Sequence, residues 1–465
     1  MLAAPDCAGG LPPRRETAQI VHMRYLALAA DYDETIAAQG QVRMETFAAL
    51  SLLRKSGRRT ILVTGRELPD LRRVCPRLDL FDRVLAENGA LLYRPQTGEE
   101  VALAGPPPAA LVERLRGLGI PVSAGRSMVA TREPHHAAAL EAVRSLRLDL
   151  EVVRNNGAVM LLPPGVHKRS GLSVALSELG LSLRNTVAVG DAENDEAMLN
   201  ASECGVAVAN ARASVKEVAD LVLREHRGQG VEELIARLIK DDLRTVLLAR
   251  HALLVGERRD GTGLRISPAA RVLIAGPSGK ATAAARLLAG VVAAGYQCCL
   301  VMDGRRVEGV PCVGSSGWAP SIDAVLRLLQ RPNLHAAACL TAVPLRERPA
   351  FLDALLPRLQ EMRARLGRPH WIVIDEAHQH FPRAAEPPPR TLQRGLGGIL
   401  LLTAHPERLS VAVLQGVDTV LAAGDRPEET LRPFGQGRPE PLLEGEVLSW
   451  SNGQIEPLRV VAGEP

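Results

Sequence analysis

The sequence is poor in aromatic residues and has no long apolar run. Phe, Trp and Tyr make up only 3% of its 465 residues, so its cores have to be built from aliphatic side chains. No apolar stretch approaches the roughly 18 residues that cross a bilayer, and no membrane partner is expected. Residues 1–22 lack the apolar centre of a signal peptide. Because Met23 directly precedes the first strand pattern, we expect residues 1–22 to be a disordered extension or a start assigned too far upstream.

The cysteines and the charge exclude further classes. The seven cysteines are odd in number and form no CxxC pair, a pattern that predicts neither a disulfide framework nor a zinc site. Free thiols are typical of a reducing compartment, so we expect a cytoplasmic protein. The net charge of +4 is small for this length, and the arginines are interleaved with acids. A nucleic-acid partner is therefore not expected.

Apolar runs alternate with helical patterns along most of the chain, which predicts an α/β protein with parallel sheets. In the first half the clearest strands are Leu26–Ala30, Thr60–Val63, Val84–Ala86 and Thr186–Val189. The rhythm changes between residues 91 and 165, where a hairpin is predicted around Asn155-Asn156-Gly157. That change indicates a small α+β module inserted into the first domain.

A domain boundary is predicted near residue 243, where the helical pattern of residues 230–243 ends and a new βα alternation starts. The first domain then covers residues 23–243, with a core of residues 23–90 and 166–243 and an inserted cap of residues 91–165. The second domain covers residues 244–465. The two halves carry different motifs.

Polar residues of the first half follow apolar strands or open a helix. They are Asp31, Asp33, Thr64, Arg66, Lys168, Asp191, Asn194 and Asp195. Residues after the strands of an open α/β sheet meet at the edge where such sheets bind ligands. The acids are ligands suited to Mg²⁺, and a lysine can neutralise a phosphate. Taken singly, an Asp-x-Asp pair often only ends a strand and a lone lysine is often a surface residue. The ordered set favours a phosphotransfer site.

In this order the motifs resemble the haloacid dehalogenase superfamily of phosphohydrolases. Asp31-Tyr32-Asp33-Glu34-Thr35 matches its first motif, and Ala86-Glu87-Asn88-Gly89, VMLLPPGVHKRSGL, VAVGDAENDEAML and GVAVANARASVKEVAD match later ones. The resemblance covers about residues 23–240 and is closest to the Cof-type, subclass IIB branch. It implies a Rossmann-like parallel sheet with an inserted α+β cap.

The resemblance also implies a covalent mechanism. Asp31 attacks phosphorus and Asp33 acts as general acid and then as general base. Mg²⁺ is held by Asp31, the main-chain carbonyl of Asp33 and Asp191, with Asp195 as a further acid, while Thr64 and Lys168 position the phosphate. The family usually has glycine where this chain has Glu34, which puts turnover in question.

Substrate choice is expected to lie with the cap. The candidates for substrate binding are Arg66, Asn155, Asn156 and Asn194. For Asn155 and Asn156 a simple hairpin turn is an equally good interpretation.

The second half contains VLIAGPSGKATAAARLL, a strand, a glycine-rich turn and a helix that opens with lysine. This order predicts a phosphate-cradling P-loop, with Asp375 and Glu376 after a later strand, and Thr403 and His405 after the next. The candidate nucleotide-binding residues are Gly276, Gly279, Lys280, Thr282, Asp375 and Glu376. The pattern resembles P-loop ATPases of the additional-strand class, closest to the HerA/FtsK-like and VirB4-like group, over about residues 245–425.

The glycine-rich turn is shorter than the usual P-loop pattern. Ile274 stands at the position of the first glycine, and Ala281 at that of the magnesium-binding hydroxyl, with Thr282 one place too late. The second domain is therefore either a nucleotide-binding or regulatory domain, for ATP or another nucleotide, or a P-loop-like fold kept as a scaffold.

The leading hypothesis is a Mg²⁺-dependent phosphomonoester hydrolase for a small phosphorylated metabolite, such as a sugar phosphate or phosphoglycolate. The alternative is an ATP-driven nucleic-acid or protein translocase with an accessory phosphatase-like domain. A third interpretation is a binding protein in which both sites are degenerate. An oligomer formed through the second domain is compatible with all three.

Overall fold

A computed structural model describes residues 23–155, 157–246, 248–304, 307–383, 397–435 and 441–460. The described residues form two α/β units, each built on its own large sheet. The predicted α/β class is confirmed, and the expectations for residues 1–22 and for Asn156 lie outside the described residues. Among the described residues, no helix has the length and apolar character that a bilayer crossing requires.

The first unit contains a large sheet, its helices and an inserted module. Its leading elements are β1 Ala27–Asp31, β2 Ala37–Ala38, β3 Gln41–Val42, α1 Met44–Lys55, β4 Arg59–Val63, α2 Leu68–Val74, β5 Arg83–Ala86, β6 Leu91–Arg94 and β7 Glu99–Ala102. The module contributes α3 Ala109–Gly117, β8 Ser123–Ala124, β9 Val129–Arg132, α4 His136–Ser145, β10 Glu151–Asn155 and β11 Ala158–Leu162. The chain then returns with α5 Lys168–Glu178, β12 Thr186–Gly190, α6 Glu196–Ala201, β13 Cys204–Ala207, α7 Ala213–Val218, β14 Leu221–Val222 and α8 Arg227–Asp241.

The large sheet of the first unit has the strand order β14-β13-β12-β1-β4-β5-β6-β7. The first six strands in this order are parallel, as expected where helices connect successive strands. β1 is buried along its whole length, with β12 on one side and β4 on the other. Asp31 pairs in register with Val63, and Ala30 with Val189. The residues that follow these three strands therefore share one edge.

The inserted module has a four-stranded antiparallel sheet of order β10-β11-β9-β8, with its own apolar cluster around α3 and α4. The sequence prediction starts the cap at residue 91. In the structure, β6 instead pairs with β5, and β7 with β6, so both strands extend the large sheet. The reason is burial, because Leu91 and Leu92 are 1% and 0% exposed within the apolar core of the first unit. The module proper begins after β7.

The second unit starts with the hairpin β15 Leu253–Glu257 and β16 Gly263–Ile266. It continues with β17 Arg271–Ala275, α9 Lys280–Ala293, β18 Cys298–Met302, β19 Cys312–Val313, α10 Ile322–Leu329, β20 Ala336–Cys339, α11 Arg348–Leu366, β21 Trp371–Ile374, α12 Ala377–His380 and β22 Ile399–Thr403. The last elements are α13 Val411–Gln415, β23 Thr419–Ala422, α14 Pro427–Leu431, β24 Glu446–Ser451 and β25 Gln454–Arg459.

The sheet of the second unit has the order β16-β15-β25-β24-β23-β17-β22-β21-β18-β20-β19. The strands from β23 to β19 in this order are parallel, and the other four are antiparallel. β22 lies between β17 and β21, although it follows both in the chain. Two apolar clusters cover the two faces of this sheet.

The two units meet at the amino ends of their parallel strands. Asn185, directly before β12, donates to the carbonyl of Gly367 (3.2 Å) and contacts Nε2 of His370 (3.1 Å), directly before β21. Glu203, directly before β13, accepts the Tyr296 hydroxyl at 2.9 Å and is 1% exposed. Because both carboxyl edges lie at the other ends of the strands, they point away from each other.

Candidate active site

Lys168 lies at the centre of a buried acidic cluster at the carboxyl edge of the first sheet. Its Nζ donates to Oδ1 of Asp31 (2.5 Å) and to Oδ1 of Asp195 (2.6 Å), and the lysine is 0% exposed. The imidazole of His167 caps the start of α5 by accepting the amide of Ser170. A Cβ on Gly89 would lie 2.6 Å from the His167 carbonyl. The close approach of Gly89 therefore lets α5 begin where its first residue reaches both acids.

Asp195 and Asp191 are fixed by the turn after β12. The second oxygen of Asp195 accepts the main-chain amides of Asp191 and Ala192, both at 3.1 Å. A Cβ on Gly190 would lie 2.5 Å from the Asp195 carboxyl carbon, so glycine is required there. Thr35 is buried and donates its hydroxyl to Oδ1 of Asp191 at 2.8 Å. The turn after β1 and the turn after β12 are thereby joined.

Asp31, Asp191 and Asp195 are buried and each offer a carboxylate oxygen, all within 4.8 Å of one another. Three carboxylates against one lysine leave a formal charge of −2, which matches a divalent cation. Burial raises the pKa of Asp31 well above its usual range, and Asp195 raises it further. Burial also raises the pKa of Asp191 to about 6, with a further contribution from Asp195. Hard oxygen ligands and uncompensated charge fit Mg²⁺.

Lys168 keeps its charge in this cluster. Burial alone would lower its pKa, but Asp195 and Asp31 raise it above the ordinary value of a lysine. Removing one partner of such a buried group leaves an uncompensated charge, which is strongly destabilising.

Thr64 follows β4 and is fully buried beside this cluster. Its hydroxyl oxygen accepts the amide of Arg66 at 3.1 Å, and its carbonyl accepts the amide of Asn88 at 2.9 Å. Asn194 donates its side-chain amide to Oδ1 of Asn88 at 3.2 Å. The turns after β4, β5 and β12 are thus linked around a common edge, which is where the sequence motifs predict the phosphate.

The guanidinium of Arg66 is paired with two carboxylates of the first unit. It donates to both carboxylate oxygens of Asp33, with two distances of 2.7 Å, and to Asp70 at 2.5 Å. This bidentate geometry is the strongest form of such a pair. The predicted role of Arg66 in substrate binding therefore requires it to exchange a partner. Asp33 likewise has to release an oxygen before it can exchange a proton with a ligand.

The inserted module packs over this edge. β10, which ends at Asn155, contacts the turn of residues 193–195, and Met160 on β11 lies against Gly65. Glu87 accepts the main-chain amides of Arg126 and Ser127 from the module, both at 2.8 Å. The predicted substrate residue Asn155 therefore lies near the acidic cluster, while Asn156 is not among the described residues.

A second polar cluster lies at the carboxyl edge of the second sheet. Lys280 begins α9 and forms an ion pair with Glu376 after β21. Gly279 precedes it with φ +76°, and a Cβ on Gly276 would lie 1.9 Å from the Ala423 carbonyl. Thr282 is exposed on the first turn of α9. The turn between β17 and α9 is therefore tight, and Lys280 points toward the acids after β21.

The neighbouring strands add further polar groups to this second cluster. Asp375 is 9% exposed, and its Oδ1 accepts the amide of Glu376 at 3.0 Å. His378 contacts the Thr403 hydroxyl at 3.0 Å, and the rings of His378 and His405 meet edge to face at 5.1 Å. Burial lowers the pKa of the His378 imidazole, against the opposing effect of Glu376. Residues after β17, β21 and β22 therefore meet at one edge.

Three contacts of the first site are not predicted by the motifs, although two of the residues that make them, Glu87 and Thr35, stand within motif segments. Asp70 completes the ion-pair network of Arg66, and only its place four residues after Arg66 in the chain could have indicated this contact. Glu87 binds main-chain amides of the inserted module, a long-range contact without a sequence pattern. The hydroxyl of Thr35 had only a weak signal, its place two residues after Asp33.

Comparisons with known proteins find similarity over the first unit. The family described as haloacid dehalogenase-like hydrolase matches residues 138–235. A phosphoglycolate phosphatase of Methanothermobacter thermautotrophicus is 30% identical over 223 residues, 46% of this chain and 98% of the relative. A phosphoglycolate phosphatase of Haloarcula marismortui is 32% identical over 197 residues, 40% of this chain and 86% of the relative. A crystal structure of a haloacid dehalogenase-like hydrolase from Bacteroides thetaiotaomicron has 21% identity and a TM-score of 0.41, covering 46% of this chain and 99% of that chain.

These relatives match less than half of the chain, and the family match lies within the first unit. The prediction of a haloacid dehalogenase-type phosphatase is confirmed by them. On this similarity, the chain belongs to the haloacid dehalogenase-like hydrolases.

Proposed function

We propose that the first unit is a Mg²⁺-dependent phosphomonoester hydrolase that acts through an aspartyl-phosphate on Asp31. The observation that carries this proposal is the buried cluster in which Lys168 contacts both Asp31 and Asp195. Burying three acids beside a single lysine is unfavourable unless a further cation offsets their charge. Such a cost is expected at a functional site.

In the first step, one oxygen of Asp31 attacks the phosphorus and the ester oxygen leaves. Lys168 contacts Oδ1 of Asp31, so Oδ2 is the candidate attacking atom. Lys168 and Thr64 would hold the phosphoryl oxygens, and Mg²⁺, held by Asp31, Asp191 and the main-chain carbonyl of Asp33, would supply positive charge. Asp33 gives its proton to the leaving oxygen after it has released Arg66.

In the second step, the Asp33 carboxylate takes a proton from water, and the resulting hydroxide attacks the phosphorus of the acyl phosphate. The bond between phosphorus and Asp31 breaks, phosphate leaves, and Asp31 is again a carboxylate. Arg66 would stabilise the ionised form of Asp33 between the two steps by its bidentate contact.

We propose phosphoglycolate as the first substrate to test, with sugar phosphates as the next class. Two relatives that this chain covers almost entirely carry the name phosphoglycolate phosphatase. The inserted module packs over the carboxyl edge at Asn155 and Met160, which favours a compact metabolite over a macromolecule.

The test is phosphate release from phosphoglycolate, sugar phosphates and nucleotides with Mg²⁺, for the wild type and Asp31→Asn. We expect the substitution to slow hydrolysis by at least about a thousandfold, because it removes the nucleophile. Asp79→Asn, an exposed acid on the same unit, is the control. Equal rates for Asp31→Asn and the wild type would rule out the covalent mechanism.

For the second unit we propose a nucleotide-binding or regulatory role at the cluster around Lys280. The support is the order of the parallel strands, with β22 between β17 and β21, which is the arrangement expected of the additional-strand P-loop class. The tight turn at Gly276 and Gly279 brings Lys280 to Glu376. A bound phosphate would take Lys280 from Glu376. The missing hydroxyl at Ala281 makes strong ATP hydrolysis, and thus the translocase alternative, the weaker proposal.

Calorimetric titration with ATP and ADP tests this role. We expect Lys280→Ala to weaken nucleotide binding by at least about tenfold, the loss of one charge-assisted contact. Lys240→Ala, an exposed lysine of the first unit, should leave it unchanged. Equal affinity in both variants would place the nucleotide elsewhere, and no binding by the wild type would favour a scaffold.

A further inference from the structure

The turn that follows the nucleophile contains an unusual backbone conformation at Glu34. Its φ is +58°, in the left-handed region that disfavours residues with a Cβ. Arg227, the first residue of α8, has the same feature with φ +51°. Two non-glycine residues held in this region require contacts that over-determine their conformation.

The contacts of Glu34 and Arg227 form a closed ring with Asn210. Oε2 of Glu34 accepts Nε of Arg227 at 2.5 Å. The main-chain amide of Arg227 donates to Oδ1 of Asn210 at 2.8 Å. Nδ2 of Asn210 donates to the carbonyl of Glu34 at 2.8 Å. Each residue of the ring thus contacts both others, and each comes from a different segment of the first unit.

The ring acts by fixing the relative positions of its three segments and not through the strength of its ion pair, because that pair is half exposed. The side chains of Glu34 and Arg227 are 30% and 46% exposed, and such pairs contribute little through charge alone. The next residue along the chain is Thr35, which donates to Asp191. The amide of Arg212, two residues after Asn210, donates to the carbonyl of Asp191 at 2.9 Å. Both routes from the ring therefore end on Asp191.

We propose that Glu34, Arg227 and Asn210 are positioning residues that fix Asp191 for cation binding. The ring joins the turn after β1 to the loop after β13, and so sets the separation of Asp31 and Asp191. Without it, Thr35 can leave Asp191, and the acids no longer converge on one point. This inference rests on the proposed Mg²⁺ site, and its test measures cation binding separately from turnover.

The experiment measures Mg²⁺ binding to the full chain by calorimetry, without substrate, and then turnover of p-nitrophenyl phosphate. Arg227→Ala is compared with Arg77→Ala. Arg77 forms an exposed ion pair with Asp79, and its side chain is 45% exposed, nearly the same as the 46% of Arg227. We expect Arg227→Ala to weaken Mg²⁺ binding about five- to tenfold and to lower kcat at constant KM, and Arg77→Ala to change neither. Equal behaviour of the two variants would overturn the proposal.

Two further variants separate the backbone from the ring. Glu34→Gly removes the strain and the side chain together, so it should fold as stably as the wild type and still bind Mg²⁺ more weakly. If Glu34→Gly binds Mg²⁺ as well as the wild type, only the backbone conformation matters and the ring has no role. The exchanged pair Glu34→Arg with Arg227→Glu should recover part of the affinity lost in Arg227→Ala.

The proposed function can fail independently of this inference. If the wild type binds Mg²⁺ but hydrolyses no phosphomonoester, the phosphatase assignment is wrong while the affinities still decide the role of the ring. If Mg²⁺ binding is unaffected in every ring variant of an active phosphatase, the ring proposal is wrong and the function stands.

Discussion

The two units place a lysine at the carboxyl edge of a sheet in two different ways. Lys168 is 0% exposed and contacts two buried acids, whereas the side chain of Lys280 is 17% exposed and contacts one acid that is itself 22% exposed. The first lysine is shielded from water and contacts carboxylates instead, whereas the second keeps part of its hydration. In both sites the lysine pairs with carboxylate, but only in the first would loss of the lysine leave buried carboxylates without their cation.

The largest predicted effect comes from removing each lysine in turn. Lys168→Met should lower phosphatase turnover by at least about a hundredfold. It should also reduce the free energy of unfolding by about 3–5 kcal/mol, since it leaves Asp31 and Asp195 buried together. Lys280→Met should leave the unfolding free energy within about 0.5 kcal/mol, because Glu376 is rehydrated. Urea unfolding and phosphate release measure both, and equal stability losses would contradict the comparison.

A smaller effect is expected at the exposed half of the first site. Arg66→Lys keeps the charge but loses the bidentate contact with Asp33, so kcat should fall about tenfold while KM changes less. Asp70→Asn removes only the contact that orients Arg66 and should cost less. Steady-state kinetics on one substrate measures both variants. A larger rise in KM than fall in kcat for Arg66→Lys would indicate that Arg66 binds substrate directly.

The smallest predicted effect concerns pH and the contact between the units. Burial and the nearby arginines lower the pKa of His370 well below 6.5. Its Nδ1 accepts the amide of Gln297 at 2.8 Å, a contact that a protonated ring cannot make. The unfolded chain takes up a proton below pH 6.5 and the folded chain does not, so stability should fall as pH drops below that value. The slope is at most about 1.4 kcal/mol per pH unit for one proton.

Thermal or urea unfolding between pH 7.5 and 5.5 measures this dependence. His370→Gln should flatten the curve relative to the wild type, because the titrating group is gone. His135→Gln, on the inserted module away from the contact between the units, is the control and should keep the wild-type slope. A wild-type slope in His370→Gln would assign the dependence to other histidines.

The sequence predicts the first site better than the contacts around it. Apolar strands that end in Asp31, Thr64 and Asp191 can be read locally, and parallel pairing brings such ends together. The role of Arg66 could not be read in this way, because it depends on its pairing with Asp33, which lies 33 residues away on another element. The sequence prediction starts the inserted module too early, at residue 91. The hairpin of β6 and β7 has the same alternation of apolar and polar residues whether it joins the large sheet or the sheet of the module.

The contact between the units lay beyond any local pattern. Asn185 and Gly367 are 182 residues apart in the chain, and neither belongs to a motif. A Cβ on Gly367 would lie 2.3 Å from the Asn185 amide. The glycine that ends α11 is therefore also needed for the close contact between the two units. Only the tertiary structure gives it that meaning.

The meeting of the two sheets at their amino ends has a consequence for how the protein can operate. The two candidate sites therefore lie at the edges farthest from that contact, with the length of both sheets between them. One route between them runs lengthwise through β12 and β21, since the residues directly before these strands, Asn185 and His370, touch. This arrangement suits a relay of site occupancy along the strands better than the direct transfer of a product between the sites.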